Sequence, residues 1–84
     1  MLQSDNVESD ILEYLREELG APADLTPAAP LFSNGTVDSF DLIRILSFLD
    51  ERFGVEVTPL EVSLENFDTV RSMCALVMAR SSRT

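Results

Sequence analysis

The chain of 84 residues is long enough for one small domain, and its 15 acidic residues against six arginines give a net charge of −9. So few cations cannot neutralise a row of phosphates, which excludes nucleic-acid binding and favours basic protein partners. The chain has no histidine and a single cysteine. It therefore lacks the usual base for a serine nucleophile and the ligand spacing of a metal site, and we expect it to be non-catalytic and metal-free.

The cellular compartment is suggested by what the sequence lacks. Residues 1–5 do not have the basic and apolar regions of a signal peptide, and no apolar run is long enough to span a bilayer. The single cysteine, Cys74, cannot form an internal disulfide, which agrees with a reducing compartment. We therefore expect a cytoplasmic protein of one domain over residues 1–84, a monomer, with residues 81–84 as a frayed tail.

The first predicted element is an amphipathic helix over residues 5–19. Acidic residues occupy its outer side, which we interpret as a solvated surface. Its core face consists of apolar residues spaced four apart and one neighbour: Val7, Ile11, Leu15, Leu19 and Leu12. Gly20 is the expected residue just beyond the C-terminus of this helix.

Residues 21–37 predict a long loop, because three prolines and Gly35 interrupt any regular element. Loops of this length in compact domains tend to be functional or to be pinned by their own side chains. The side chains expected to pin this one in the core are Leu25, Leu31, Phe32 and Val37. We also expect a single turn over residues 24–27.

The clearest helix start follows at Asp38. This residue is a good N-cap, and Asp41 stands where its capping-box partner belongs. Ser39 is therefore predicted to lie at a helix N-terminus, beside free backbone N–H groups and the positive end of the helix dipole. A covalently attached phosphate is favoured at such a position.

The helix over residues 39–53 is predicted to have two faces. One sector, expected in the core, holds Leu42, Ile45, Leu46, Leu49 and Phe53, with Ile43 at its border. The opposite face holds Phe40, Arg44, Ser47 and Glu51. An exposed phenylalanine is compatible with an ordinary solvent surface, but it also fits a contact that docks a partner protein.

Two further helices complete the prediction. Gly54 ends the second helix, and residues 55–57 form an extended link. Thr58, Pro59 and Glu61 then predict the start of a short third helix. This helix is expected to contain Leu60, Leu64 and Phe67. Asp68 is the expected N-cap of a fourth helix over residues 69–80. Its core stripe is Val70, Met73, Cys74 and Val77, with Cys74 a core residue rather than a reactive thiol. The sequence therefore predicts an all-α four-helix bundle.

Three stretches of this sequence resemble the phosphopantetheine-dependent carrier proteins, the family of acyl, peptidyl and aminoacyl carriers. They are Leu-Phe-Ser-Asn-Gly-Thr-Val-Asp-Ser-Phe at residues 31–40, Phe-Gly-Val-Glu-Val at 53–57 and Phe-Asp-Thr-Val at 67–70. The loop and the Glu-Asn-Phe-Asp pattern are most similar to free-standing aminoacyl or D-alanyl carriers. Arg44 and Arg52 also make the second helix less acidic than that of fatty-acid-type carriers.

The resemblance implies a bundle of the acyl-carrier type with a 4′-phosphopantetheine arm on Ser39. A phosphopantetheinyl transferase would install the arm from coenzyme A, a separate adenylate-forming ligase would load an aminoacyl or small acyl group as a thioester, and a downstream enzyme would accept it. The resemblance also implies that Asp38 engages the modifying enzyme, that Phe40 docks partners and that Val37 anchors the loop. The expected partner-binding residues are Val37, Asp38, Phe40, Asp41, Arg44 and Ser47.

Three alternatives stay open at this point. The first, within the carrier class, is that the cargo is a fatty acyl or polyketide group. In a different class, the chain is a helical interaction module whose serine is never modified. An enzyme that uses Ser39 directly is the third alternative, and the missing histidine disfavours it.

Overall fold

The computed structural model describes residues 3–58 and 62–81 and, of residues 4, 64 and 81, the backbone alone. Four helices and no strand lie in these ranges: α1 Ser4–Glu18, α2 Ser39–Phe53, α3 Leu64–Phe67 and α4 Val70–Ser81. The predicted all-α class, the long loop between the first two helices and the short third helix are confirmed. None of the helices within these ranges is long and apolar enough to cross a membrane.

The core lies between α1 and α4, with α2 and the long loop packed around it. Val7, Ile11 and Leu15 are buried on the inner face of α1, as the four-residue spacing predicted, and Leu12 and Leu19 pack at its edge. The predicted stripe of α4 is buried throughout: Val70, Met73, Cys74 and Val77. Burial raises the pKa of the Cys74 thiol, which agrees with a core role for this cysteine.

Helix α2 ends where the sequence predicted, and one of its predicted core residues is exposed. The predicted core residues Leu42, Leu46 and Phe53 are half-buried and pack against the core, and so does Phe48, which the prediction left out. Ile45 and Leu49 are fully buried, whereas Ile43 is 64% exposed. The expectation that Ile43 belongs to the core is therefore wrong. Ile43 lies at the border of the apolar sector, and in the described structure that border faces solvent. Gly54 closes the helix with a φ of +68°. Its N–H donates to the Asp50 carbonyl at 2.9 Å, and the N–H of Val55 donates to the Leu49 carbonyl at 3.3 Å.

Helices α1 and α2 run antiparallel and meet through side chains. The Tyr14 and Phe48 rings stack with centroids 4.2 Å apart, and the Tyr14 hydroxyl donates to the carbonyl oxygen of Arg44 at 3.2 Å. Near the C-terminal end of α2, a guanidinium nitrogen of Arg52 lies 3.3 Å from the carboxylate of Asp10 in α1. These contacts fix the direction of α2, and therefore the end of the bundle at which Ser39 lies.

The first half of the long loop contains two turns instead of the single turn expected over residues 24–27. The N–H of Leu25 donates to the Pro22 carbonyl at 3.1 Å, and the N–H of Ala29 donates to the Thr26 carbonyl at 3.1 Å. Pro27 occupies the second position of the latter turn, where its fixed φ is favourable, so the turn begins at Thr26. The predicted pinning is confirmed: Leu25, Leu31 and Val37 are buried and Phe32 is half-buried.

The third helix begins later in the described chain than the sequence predicted. Pro59, Leu60 and Glu61, which carried the predicted start together with Thr58, lie outside the described residues. Residues 62 and 63 are not helical, and the Ser63 side chain accepts from the N–H of Asn66 at 3.3 Å. Ser63 therefore caps α3, and buried Phe67 ends it.

The N-cap of α4 is Thr69, so the prediction of Asp68 as the cap is wrong. The Thr69 hydroxyl oxygen accepts from the N–H of Ser72 at 3.0 Å, and the Thr69 carbonyl accepts from the N–H of Met73 at 3.2 Å. A threonine three residues before a donor N–H is an adequate cap. The Asp68 carboxylate instead accepts hydrogen bonds from the long loop.

Candidate functional site

The start of α2 is held by a reciprocal pair of side-chain hydrogen bonds. The N–H of Asp41 donates to the Asp38 carboxylate at 3.0 Å, and the N–H of Asp38 donates to the Asp41 carboxylate at 3.2 Å. This capping box confirms the prediction, and it satisfies two backbone donors that a helix start would otherwise leave free. Ser39 is thereby fixed as the first residue of α2.

Ser39 is exposed, and its hydroxyl makes no hydrogen bond within the part of the chain that the structure describes. The carboxylates of Asp38 and Asp41 both accept backbone N–H groups rather than the serine hydroxyl. No base therefore prepares this oxygen for nucleophilic attack among the described residues. The hydroxyl is accessible to a second protein.

Residues 31–37, which lead into Ser39, form a closed segment held by hydrogen bonds between its own residues. The N–H of Val37 donates to the Leu31 carbonyl at 3.1 Å, and the N–H of Gly35 donates to the Phe32 carbonyl at 3.2 Å. The Asn34 side chain accepts from both the N–H and the hydroxyl of Thr36, at 3.1 and 2.7 Å. Gly35 has a φ of +80°, which favours glycine at this turn.

The base of that closed segment is bound by Asp68, a role that local sequence rules missed. One Asp68 oxygen accepts from the N–H groups of Leu31, Phe32 and Ser33 at 3.2, 2.8 and 2.9 Å. The other accepts from the Ser33 hydroxyl at 2.8 Å. We call this set of four hydrogen bonds the Asp68 clamp. The bonds from Ser33, together with those from Phe32 and Leu31, lower the pKa of Asp68.

One signal in the sequence favoured this outcome. Thr69 directly follows Asp68 and is itself a competent cap with Ser72 three residues on, so Asp68 was not needed for α4. The partners of Asp68 lie 35 to 37 residues earlier in the chain. No local pattern identifies contacts across that distance.

Two apolar side chains are exposed on α2 directly beside Ser39. Phe40 is 78% exposed and Ile43 is 64% exposed. Residues three apart on a helix are neighbours on its surface, so the two form a continuous apolar patch. We call Phe40 and Ile43 the apolar pair.

The predicted partner-binding residues divide into surface residues and one core residue. Asp38, Phe40, Arg44 and Ser47 are exposed and Asp41 is half-buried, all on the first three turns of α2 or its cap. Val37 is only 3% exposed. This burial contradicts its place among the surface contacts, because an apolar side chain that ends the loop contributes more in the core than in water. Val37 occupies the position of an anchor.

An open groove of about 310 Å³ lies between α1 and α2, away from the serine. Its lining residues are Asp10, Glu13, Tyr14, Glu17, Glu18, Phe48 and Arg52. Ser39 and the apolar pair do not line this groove. The space that adjoins Ser39 is therefore the exposed surface at the start of α2, not this groove.

Comparison with known proteins places the chain in a family. A family model described as "Phosphopantetheine attachment site" matches residues 9–77. A chain in a solved structure titled "Crystal structure of FAD-dependent dehydrogenase" is 29% identical, with a TM-score of 0.65 over 89% of this chain and 97% of that chain. A search of curated proteins finds no match. The helical fold and the family match together show that this chain belongs to the phosphopantetheine attachment family, whose domains carry covalent 4′-phosphopantetheine.

Proposed function

We propose that the chain is a carrier protein whose Ser39 bears the phosphopantetheine arm and whose cargo is an aminoacyl or small acyl group. A separate adenylate-forming ligase loads the cargo, and a downstream enzyme takes it. The observation that carries this proposal is the exposed Ser39 hydroxyl on the first residue of a capped helix, in a chain of the phosphopantetheine attachment family. The arm, when bound, supplies a terminal thiol that holds the cargo as a thioester.

The surroundings of Ser39 fit a covalently attached phosphodiester. Its oxygen is accessible and is not engaged by another described side chain. The positive end of the α2 dipole favours an anion there by about 0.3 to 1 kcal/mol, which the carboxylates of Asp38 and Asp41 partly offset. The chain's own part is to hold this hydroxyl at a fixed place on the surface, where a transferase can reach it.

Three of the other serines are less suitable as the attachment point, because their side chains are engaged in hydrogen bonds. The Ser33 hydroxyl is bound in the Asp68 clamp, and the Ser63 side chain caps α3. The Ser72 hydroxyl donates to the Thr69 carbonyl at 2.9 Å. Modification would remove the hydroxyl proton that Ser33 or Ser72 donates and would add bulk at the cap of α3 at Ser63, whereas modification of Ser39 breaks no hydrogen bond among the described residues.

The surface around Ser39 supports the proposal that partners dock on α2. The apolar pair offers the kind of exposed hydrophobic contact that marks a protein interaction site. Around it, Arg44 and Ser47 are exposed, and Asp38 and Asp41 lie at the helix start. Because arginines offset the acids of α2, we infer partners whose docking surfaces are less basic than those that an acidic fatty-acid-type carrier requires.

The structural comparison suggests a class of downstream enzyme. The similar chain is almost wholly covered by this one, so it too is of carrier size, and the structure that contains it is titled as an FAD-dependent dehydrogenase. We infer that a flavin dehydrogenase is a candidate acceptor for the loaded carrier. Such an enzyme would remove two hydrogen atoms from the cargo and reduce its own FAD to FADH₂.

The attachment is tested by intact-mass measurement after incubation with coenzyme A and a broad-specificity phosphopantetheinyl transferase. We expect the mass of one phosphopantetheine group to be added to the wild type and to Ser9→Ala, which removes another exposed serine, but not to Ser39→Ala. No gain on the wild type would support the unmodified interaction module. A gain that persists in Ser39→Ala would place the arm elsewhere.

The cargo is tested by offering the modified protein to ligases for amino acids and for fatty acids. Loading with an amino acid or short acyl group supports the proposal, and loading with a long acyl chain alone supports the fatty acyl alternative. A candidate flavin dehydrogenase is then mixed with the loaded protein. Bleaching of its flavin absorbance together with loss of two hydrogen masses from the cargo is the expected result, and an unchanged flavin would remove this enzyme class as the acceptor.

A further inference from the structure

We propose that Asp68 is a positioning residue for the modification of Ser39, because the Asp68 clamp holds the segment that places the serine in front of the transferase. The inference rests on the proposed attachment at Ser39. Asp68 lies between α3 and α4, far from Ser39 in sequence, and among the described residues its carboxylate contacts the loop that leads to the serine.

Four hydrogen bonds from three consecutive residues converge on one carboxylate. The N–H groups of Leu31, Phe32 and Ser33 and the Ser33 hydroxyl all donate to it, at 2.8 to 3.2 Å. The loop at this point is neither helix nor strand, so these backbone donors have no ladder to satisfy them. Hydrogen bonds to a charged acceptor are among the strong ones, and the clamp is therefore the main polar anchor of this segment.

The Asp68 end of the clamp is fixed by the core. Phe67 and Val70, on either side of it along the chain, are both fully buried. The Asp68 carbonyl also accepts from the N–H of Leu31 at 2.7 Å, which adds a backbone tie to the carboxylate contacts. A second tie lies nearby, where the N–H of Arg71 donates to the Pro27 carbonyl at 2.9 Å. The start of α4 thus holds the loop at two points.

The loop end of the clamp leads directly to Ser39. The Leu31 carbonyl accepts from the N–H of Val37, whose side chain is buried, and the next two residues are Asp38 and Ser39. Every link from Asp68 to the first turn of α2 is therefore a hydrogen bond or a buried side chain. If the clamp is lost, residues 31–37 keep their apolar anchors and the backbone tie at Leu31 but lose four hydrogen bonds, so that Ser39 at the start of α2 is held less firmly.

The expected consequence is a slower chemical step rather than weaker docking. The apolar pair and the capping box lie on α2 itself and do not contact Asp68, so the docking surface persists. A serine that is less well held spends less time in the reactive geometry, and small misplacements of reacting groups have large effects on rate. We therefore expect kcat of the transferase to fall while KM for the carrier changes little.

The test is steady-state kinetics of transferase-catalysed modification, with apo carrier as the varied substrate. For Asp68→Ala we expect kcat to fall about tenfold, and for Asp68→Asn, whose amide oxygen still accepts from the backbone, about threefold. Asp24→Ala, which removes an exposed loop acid outside the clamp, should match the wild type. Val77→Ala truncates the far part of the α4 core. It should lower stability without lowering kcat at a temperature where the protein is folded.

Each outcome decides the inference. A wild-type kcat for folded Asp68→Ala overturns it, and so does an equal loss of kcat in Val77→Ala, which would make the effect one of stability alone. If Asp68→Ala does not fold, Asp68→Asn decides, and an unchanged kcat in that variant overturns the inference. Failure of the wild type to be modified at Ser39 would instead reject the proposed function.

Discussion

Ser39 has a fixed backbone position, but no described side chain activates its hydroxyl. The capping box fixes its backbone, yet no described base contacts its hydroxyl. In the proposed attachment, the transferase activates this oxygen. Carrier domains of this family are typically non-catalytic. What the chain contributes at this scale is the precise place of one exposed hydroxyl.

The contribution of the cap to stability is measurable. Asp38→Ala removes the acceptor for the N–H of Asp41, and we expect it to lower the free energy of unfolding by about 0.5 to 2 kcal/mol. Urea unfolding followed by circular dichroism measures this difference. Asp24→Ala, at an exposed loop acid with no hydrogen bond in the described chain, serves as the control and should change stability little. Equal effects of the two substitutions would show that the capping box does not hold α2.

The Asp68 clamp predicts a pH dependence of stability. Its hydrogen bonds lower the pKa of Asp68 below the ordinary value of 3.8, so the carboxylate is favoured in the folded chain. Stability from this group is present above the ordinary pKa and is lost as the pH falls through the folded-state pKa. The difference in unfolding free energy between wild type and Asp68→Asn should therefore be constant above about pH 5 and shrink below about pH 4.

Urea unfolding at a series of pH values checks this prediction. Asp24→Asn is the matched control, and it should retain the wild-type fall in stability at low pH. A difference between wild type and Asp68→Asn that stays constant down to pH values where the protein still folds would contradict the clamp.

Single residues of the site differ in how far sequence predicts them. Asp38, Ser39 and Asp41 were predictable because a capping box depends on side chains three positions apart. Asp68 was assigned the wrong role because the same local rule applies to it, whereas its actual donors come from the distant loop. Local rules therefore find the serine but not the residue that supports its loop.

At the scale of elements, α2 both presents Ser39 and forms the surface beside it. Helical periodicity predicted its ends and its buried side correctly, since Ile45 and Leu49 repeat with the helix. It erred at Ile43, which lies at the border of the apolar sector. Whether a border residue is covered depends on which element packs there, and that is a property of the tertiary arrangement. The exposed side chain of Ile43 extends the apolar surface that begins at Phe40.

The apolar pair gives a prediction about loading. Phe40→Asp and Ile43→Asp each place a charge in the apolar patch, and we expect each to lower the rate of charging by an amino acid ligase about tenfold or more while circular dichroism stays unchanged. Charging is measured by intact mass after the arm has been installed. Ala75→Asp places the same charge at an exposed position on α4 and should charge at the wild-type rate. Normal charging of both α2 variants would show that partners dock elsewhere.

At the scale of the whole molecule, the fold separates the chain's own thiol from the surface. Cys74 is the single cysteine, and packing of α4 against the core buries it. Composition and periodicity predicted this all-α arrangement well, because each long helix carries a clear apolar stripe. They did not predict the start of α3 at Leu64, where Ser63 is the cap. They also did not predict the two turns in the first half of the long loop, where the N–H of Arg71 in α4 donates to the Pro27 carbonyl.

Burial of Cys74 predicts how the protein reacts with thiol reagents. Because burial raises the pKa of this thiol and restricts access, the folded apo protein should react slowly with a disulfide reagent at neutral pH, and fast after unfolding in urea. Once the arm is installed, one fast-reacting thiol per molecule should appear in the folded protein. Cys74→Ser, which removes the buried thiol, should retain that fast phase. Rapid reaction of the folded apo protein would contradict the core position of Cys74.

In the proposed function, Ser39 carries the arm and the arm carries an aminoacyl or small acyl group. Mass spectrometry of the protein purified from its own cells, under conditions that preserve thioesters, detects both the arm and its cargo when intact mass is combined with peptide mapping. We expect the phosphopantetheine on the peptide that contains Ser39, with an aminoacyl or small acyl group attached to part of the population. An unmodified Ser39 peptide throughout, or an arm on any other residue, would contradict the claim.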